Sequence, residues 1–265
     1  MTSKCQFVQI NDPELTLKWI NSSNLERLED ESKLGKALPL FRDSSLCSKN
    51  GKHFPFMNEP DKYIISAIED EIALTLSEIS DKEYKKIIQL VRKNVDDDEL
   101  LIEFAKISGN KFGRCEIDRK FLIAARKLPS LLDIVSLNGG DTTLAKQQIT
   151  EYIGDDYIKI HNAIASTLLC PELIRKTILE PQKSIQTIIT ENAPLKYSLR
   201  VVKNEVVIRN KLLPKDTLIL FNIDACAKVT GDTRFVFGNG SDIRRCPFGL
   251  FIEKFLEKLR VNDIS

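Results

Sequence analysis

Histidine is nearly absent from this 265-residue sequence, with only His53 and His161. A metal centre built from several imidazoles is therefore excluded from expectation. The net charge is +1, so no excess of lysine and arginine exists to neutralise a run of phosphates, and a general nucleic-acid footprint is not expected. No apolar run is long enough for a membrane-spanning helix, and the N-terminal Met1-Thr2-Ser3-Lys4-Cys5 is not followed by a signal-peptide core. The expectation is a cytoplasmic protein with no membrane partner. None of the six cysteines (Cys5, Cys47, Cys115, Cys170, Cys226, Cys246) forms a C-x-x-C pair, and their scatter indicates reduced thiols rather than a disulfide framework. The ordinary role of such a thiol is that of a small buried hydrophobe, which is the reading for every cysteine but one.

The exception is Cys246. It lies in FVFGNGSDIRRCPFGLFIEKFLEKL, residues 235–259, after a glycine-containing stretch and two arginines, Arg244 and Arg245. Beyond it Phe248, Phe251, Ile252, Phe255, Leu256 and Leu259 recur at helical spacing, which predicts a helix with one buried face. Cys246 would then stand at a helix N-terminus, where exposed N–H groups favour a thiolate over a thiol. Gly238 and Gly240 are read as part of a loop that can approach a flat ligand closely.

At these residues the sequence resembles the cytochrome P450 family, whose haem-ligand signature is Phe-Gly-x-Gly-x-Arg-x-Cys-x-Gly. Phe237, Gly238, Gly240, Arg244, Cys246 and Gly249 match in type and order, with about two extra residues between Gly240 and Arg244 and one between Cys246 and Gly249. Upstream, Tyr197 to Val202 and Glu205 to Ile208 read as short strands, with Lys203-Asn204 as a hairpin turn between them. Pro214-Lys215-Asp216-Thr217 reads as a turn before the strand Leu218 to Phe221. The resemblance places Arg200 at the position that meets a haem propionate. The segment His161 to Glu180 resembles the end of the long central helix and the Pro-Glu-initiated helix that follows it.

The implied fold is mainly α with a small β region: a single, reduced P450-like domain over 1–265, with a core in 59–265 and a poorly assignable segment in 1–58. Pro13 to Leu28 contains a helix around Trp19, and Asp43 to Lys52 is loop-like. Glu59 to Ile79 is a strong amphipathic helix in which Lys62 either meets a propionate or is a solvated charge. Helices are also expected over Glu83 to Asn94 and Glu99 to Ser108, the second capped by its preceding acidic run.

Two departures from the family pattern matter. Asn138-Gly139-Gly140-Asp141-Thr142-Thr143 carries the letters of the family's proton-relay motif, but the usual spacing to Pro171-Glu172 favours Ile153-Gly154-Asp155-Asp156. In that register Asp155 and Asp156 are the candidate catalytic acids, with a surface carboxylate as the alternative. The family's Glu-x-x-Arg pair is replaced by Thr187 and Thr190, which removes both charges together and leaves neither buried alone.

The resemblance implies haem b held by the Cys246 thiolate, with Lys62, Arg200, Phe237, Gly240 and Arg244 around it. The expected function is oxidation of a small organic substrate as a monooxygenase or peroxygenase. A ferredoxin or flavodoxin-type donor would be steered by Arg244, Arg245, Lys254 and Lys258. Non-redox dehydration or isomerisation, and a non-catalytic haem-binding or protein-interaction module, are the alternatives. A shortened roof over the pocket would leave apolar surface, from which a homodimer is expected.

Overall fold

A computed structural model describes residues 7–26, 48–49, 52–53, 70, 72–107, 171–193, 196–238 and 247–264. The chain divides into two compact units, one formed by Met1–Leu28 with Gln186–Gly249 and the other by Glu29–Ile185 with Leu250–Ser265.

The first unit is built on a four-stranded sheet. Strand β1 (Phe7–Ile10) leads through Asp12 into helix α1 (Pro13–Trp19), and β2 (Leu25–Glu26) follows. Asp12 begins the helix as a good N-cap should: its carboxylate accepts the Leu15 N–H at 2.9 Å, and Pro13 fills the first helical position, where no N–H is needed. Much further along come helix α6 (Ile185–Glu191) and strands β5 (Tyr197–Val202), β6 (Val206–Ile208), β7 (Lys211–Leu213) and β8 (Leu218–Asn222). The sheet order is β1-β8-β5-β2, with β1 parallel to β8 and the other pairs antiparallel. Ile10, Ile20, Leu25, Val202, Val206, Ile208, Leu213, Ile219 and Phe221 form its core, and Leu15 and Trp19 pack against it. Trp19 is thus a packing anchor, as the sequence indicates.

The hairpin expected at Lys203-Asn204 does not form there. Strand β5 lies between β8 and β2, and the N–H groups of Lys203 and Asn204 both donate to Asn24 O. The reversal comes at Arg209-Asn210, where both residues have positive φ (51° and 60°) and β6 pairs with β7. Two left-handed central residues give a turn whose twist matches that of the strands it joins, whereas Lys203-Asn204 supplies no such conformation. The turn before β8 is as expected: Thr217 N–H donates to Pro214 O at 3.2 Å, and Asp216 takes the left-handed position (φ 67°).

Beyond β8 lie α7 (Ile223–Thr230), closed by Gly231 in the left-handed conformation, α8 (Thr233–Gly238), and the start of α9 (Pro247–Ile264). Gly238 therefore closes a short helix; it is not part of a loop. The reason is the Asp232 carboxylate, which accepts the Arg234 N–H and starts a new helical turn just after Gly231.

Among the described residues the second unit is helical apart from a small strand pair, β3 (Ser48–Lys49) with β4 (Lys52–His53), most of it within the segment expected to be a loop. Ser48 pairs with His53 and Lys49 with Lys52. Residue 70 and residues 72–78 (α2) are helical, with Ile72, Thr75, Leu76 and Ile79 buried at the spacing of one helix face. Helices α3 (Asp81–Arg92), α4 (Asp97–Ile107) and α5 (171–179) follow. A capping box of Ser80 and Glu83 starts α3, and Asp96 accepts the Glu99 N–H at 2.8 Å at the start of α4. The remainder of α9 runs through this unit. Its Phe251, Ile252, Phe255, Leu256 and Leu259 are all buried, as their spacing predicts. Phe255 is the hub, with ring centroids 5.2 Å from Tyr84, 5.0 Å from Phe104 and 6.0 Å from Phe251. Polar ties fix the same helix: Lys258 donates to Leu76 O at 3.0 Å, Arg260 to Lys183 O at 2.6 Å, and Asp263 pairs with Arg92 at 2.7 Å.

Candidate functional site

The candidate site starts from the end of α8 and the start of α9. Phe237 is buried, one residue before the helix-ending Gly238. Gly249 occupies the third position of α9 and is packed on the Phe237 side chain. A Cβ added at Gly249 would meet Phe237 Cγ at 2.3 Å, Cβ at 2.5 Å and Cδ1 at 2.7 Å. Only glycine allows an approach this close, so the two ends of the segment 238–248 are pinned to each other. Cys246 is the residue immediately before α9. It lies outside the described residues, as do Gly240, Arg244, Arg245, Lys62, Asp155 and Asp156, and the Asn138 to Thr143 motif with them.

Arg200 sits on β5 and is 3 % exposed. Its Nε donates to Ile20 O at 3.1 Å, and one terminal nitrogen donates to Ser198 Oγ at 2.8 Å and Leu199 O at 2.7 Å. None of these three acceptors carries a charge. Ser198 and Arg200 share a strand face because side chains alternate along β5, a relation that was legible from their spacing. The contribution of Ile20 O was not, since it comes from a residue 180 positions away.

Thr187 and Thr190 both lie in α6. Thr190 is buried, and its hydroxyl donates to Gln186 O at 3.0 Å and Thr187 O at 3.2 Å. The helix itself thus satisfies the polar group standing where the family carries an arginine, and no buried charge replaces it there. Of the cations expected to steer a partner, Lys254 and Lys258 are both exposed, and Lys258 also donates to Leu76 O. The buried Cys226 has its thiol pKa raised by burial, with Thr16 Oγ1 at 3.4 Å. It is an inert packing thiol, as expected. The Gly249–Phe237 contact is the feature that sequence reading missed, although both residues belong to the matched signature, which was the available signal. Among the described residues no group of histidines, cysteines and carboxylates could hold a metal ion, and no helix is long and apolar enough to cross a membrane.

The mixed four-stranded sheet, the hairpin beside it and the helices leading into α9 define a known class: the chain has the cytochrome P450 fold. It is similar to P450BioI, crystallised in complex with hexadec-9Z-enoic acid ligated acyl carrier protein, at 13% identity over 97% of this chain and 84% of that one, with a TM-score of 0.59. A thermophilic cytochrome P450 from Sulfolobus tokodaii aligns at 12% identity over 97% of this chain and 85% of that one, with a TM-score of 0.52. At these identities the likeness is one of fold. No family model matches the chain, and no curated protein matches it.

Proposed function

We propose that the chain binds haem b through the Cys246 thiolate and oxidises a small organic substrate, as a monooxygenase or a peroxygenase. The observation that supports this reading is the frame around Cys246: a long helix begins at the next residue, and Gly249 is packed on Phe237 with no room for a Cβ. A cysteine next to a helix N-terminus has its thiolate stabilised by the N–H groups there, and the thiolate is the form that ligates iron. When bound, haem with a thiolate ligand supplies the electron density that favours O–O cleavage.

The chain's own residues have separate tasks in this scheme. Arg200, Arg244 and Lys62 would pair with the haem propionates. Phe237 and Gly240 would let the chain close on the porphyrin face. Asp155 and Asp156 would hold and move protons on the substrate side through their carboxyl oxygens. Electrons would come from a ferredoxin or flavodoxin-type partner drawn to Arg244, Arg245 and Lys254. P450BioI was crystallised with a fatty-acyl chain delivered by a carrier protein, so fatty-acyl compounds are the first substrate class to screen here.

A second reading is favoured by Thr187 and Thr190 in α6. Without the charged pair, a peroxide-driven or non-redox haem-thiolate reaction that needs no reductase docking becomes the competing assignment. A non-catalytic module remains the third.

The test is an absorption spectrum of the purified, haem-supplemented protein, reduced under CO, beside Cys246→Ala. A thiolate-type Soret shift present in the wild type and lost in the variant is the expected result. A folded wild type that takes up no haem would overturn the enzyme reading and leave the non-catalytic one.

A further inference from the structure

A continuous run of contacts leads from the sheet of the first unit to the start of α9. Asn222 ends β8 and caps α7, its side chain accepting the Ala225 N–H at 3.0 Å. At the far end of α7 the Thr230 hydroxyl donates to Cys226 O at 2.8 Å and accepts the Asp232 N–H at 3.2 Å, while the Gly231 N–H donates to Ala227 O at 2.8 Å. Asp232 is thereby fixed to α7. Its carboxylate accepts the Arg234 N–H at 2.8 Å and its carbonyl the Phe235 N–H at 3.2 Å, so it is the N-cap of α8. The Arg234 guanidinium also reaches the carboxylate, with Nε at 2.9 Å and a terminal nitrogen at 2.7 Å, but this pair is partly exposed and contributes little alone. Thr233, Phe235, Val236 and Phe237 are buried, and Phe237 is the residue that leaves no room for a Cβ on Gly249.

We propose that Asp232 is a positioning residue for the haem-ligand segment, acting through Phe237. By setting where α8 begins, it sets where Phe237 stands, and the Phe237–Gly249 contact then sets the start of α9, next to Cys246. A six-residue helix has fewer than two turns, so losing the acceptor at its first turn disturbs the whole of it. The inference deepens the haem-thiolate reading and rests on it.

The experiment is a haem titration of the full chain followed by reduction under CO. Asp232→Ala is expected to weaken haem binding about fivefold or more and to lose part of the thiolate-type Soret band. Asp232→Asn keeps a capping oxygen and should stay near wild type. Asp12→Ala removes the corresponding cap from α1 in the same unit, and so controls for a general loss of stability; it should leave both readings unchanged. Asp232 is not buried, and circular dichroism should show the wild-type fold in each variant. A second measurement needs no haem. In urea titrations Gly249→Ala should cost less in an Asp232→Ala background than alone, because Phe237 then yields more easily. Wild-type haem binding and spectrum in Asp232→Ala, an equal loss in Asp12→Ala or Asp232→Asn, or strictly additive urea results would overturn the proposal. A wild type that takes up no haem overturns the haem-thiolate reading and this assignment with it, whereas a haem-loaded wild type beside an unaffected Asp232→Ala overturns this assignment alone.

Discussion

Gly249 is the residue at which a single methyl group should have the largest local effect. Gly249→Ala forces Phe237 to move and is expected to cost about 1–3 kcal/mol of unfolding free energy in a denaturant titration. Phe237→Leu in the same chain should recover little of that loss, because leucine keeps the Cβ, Cγ and a Cδ atom that the new methyl meets. Arg200 makes a different kind of contribution. Replacing it with methionine keeps the aliphatic bulk but leaves Ile20 O and Leu199 O without this donor, and the expected loss is about 1–3 kcal/mol. Asp12 gives a pH-dependent case. Its pKa lies below the ordinary 3.8, first because its carboxylate accepts the Leu15 N–H, with the Arg209 guanidinium adding to the effect. The carboxylate's stabilisation is therefore fully present above the unfolded-state pKa and is lost as pH falls through the lowered folded value. Asp12→Ala should destabilise the protein at neutral pH and differ much less from wild type near pH 2, as urea titrations at the two pH values would show.

The turn and the aromatic hub carry the predictions at the scale of elements. Asn210 has φ 60°, which glycine adopts without strain, so Asn210→Gly should stabilise the β6–β7 hairpin by up to about 1 kcal/mol. Lys203→Gly should give no such gain, because the chain does not reverse there. At the opposite extreme, Phe255→Ala removes the ring shared by Tyr84, Phe104 and Phe251, and about 3–5 kcal/mol should be lost. These elements also show what a sequence makes legible. The buried face of α9 follows from period alone, and the start of α4 from its acidic run, because helical repeats and caps are local; α3, expected from Glu83, begins two residues earlier at Asp81 behind Ser80. Strand partnership is not local. Tyr197 to Val202 reads correctly as a strand, but its neighbours are chosen by which distant apolar runs can cover it. The nearest downstream strand therefore pairs elsewhere. Gly238 was misread for a related reason: a glycine suits a loop and a helix end equally, and the Asp232 cap that decides between them lies six residues upstream.

For the molecule as a whole, the fold was legible from one signature and its flanks, while the site was legible only in part. The signature and its flanks single out Cys246 and Arg200 as candidates, but the packing of Gly249 on Phe237 and the carbonyl that accepts from Arg200 are products of tertiary structure. If haem binds the native chain alone, mass action requires the thermal midpoint to rise with haem concentration. The stabilisation should reach about 2.7 kcal/mol when free haem is a hundredfold above its dissociation constant. Scanning calorimetry should record that rise in the wild type and a smaller one in Cys246→Ala.

The sheet of the first unit joins strands from opposite ends of the sequence. Asp12 and Arg209, which tie α1 to the hairpin, are 197 residues apart, and β1 pairs with β8. At ordinary translation rates the ribosome adds the intervening chain in roughly 10–40 s. For that interval Phe7 to Ile10 is a nascent strand with no partner to pair with, while α3 and α4 already have their own sequence complete. Among the described residues β1 stands at the edge of the finished sheet, and a chaperone that holds extended apolar segments should meet it before β8 is made.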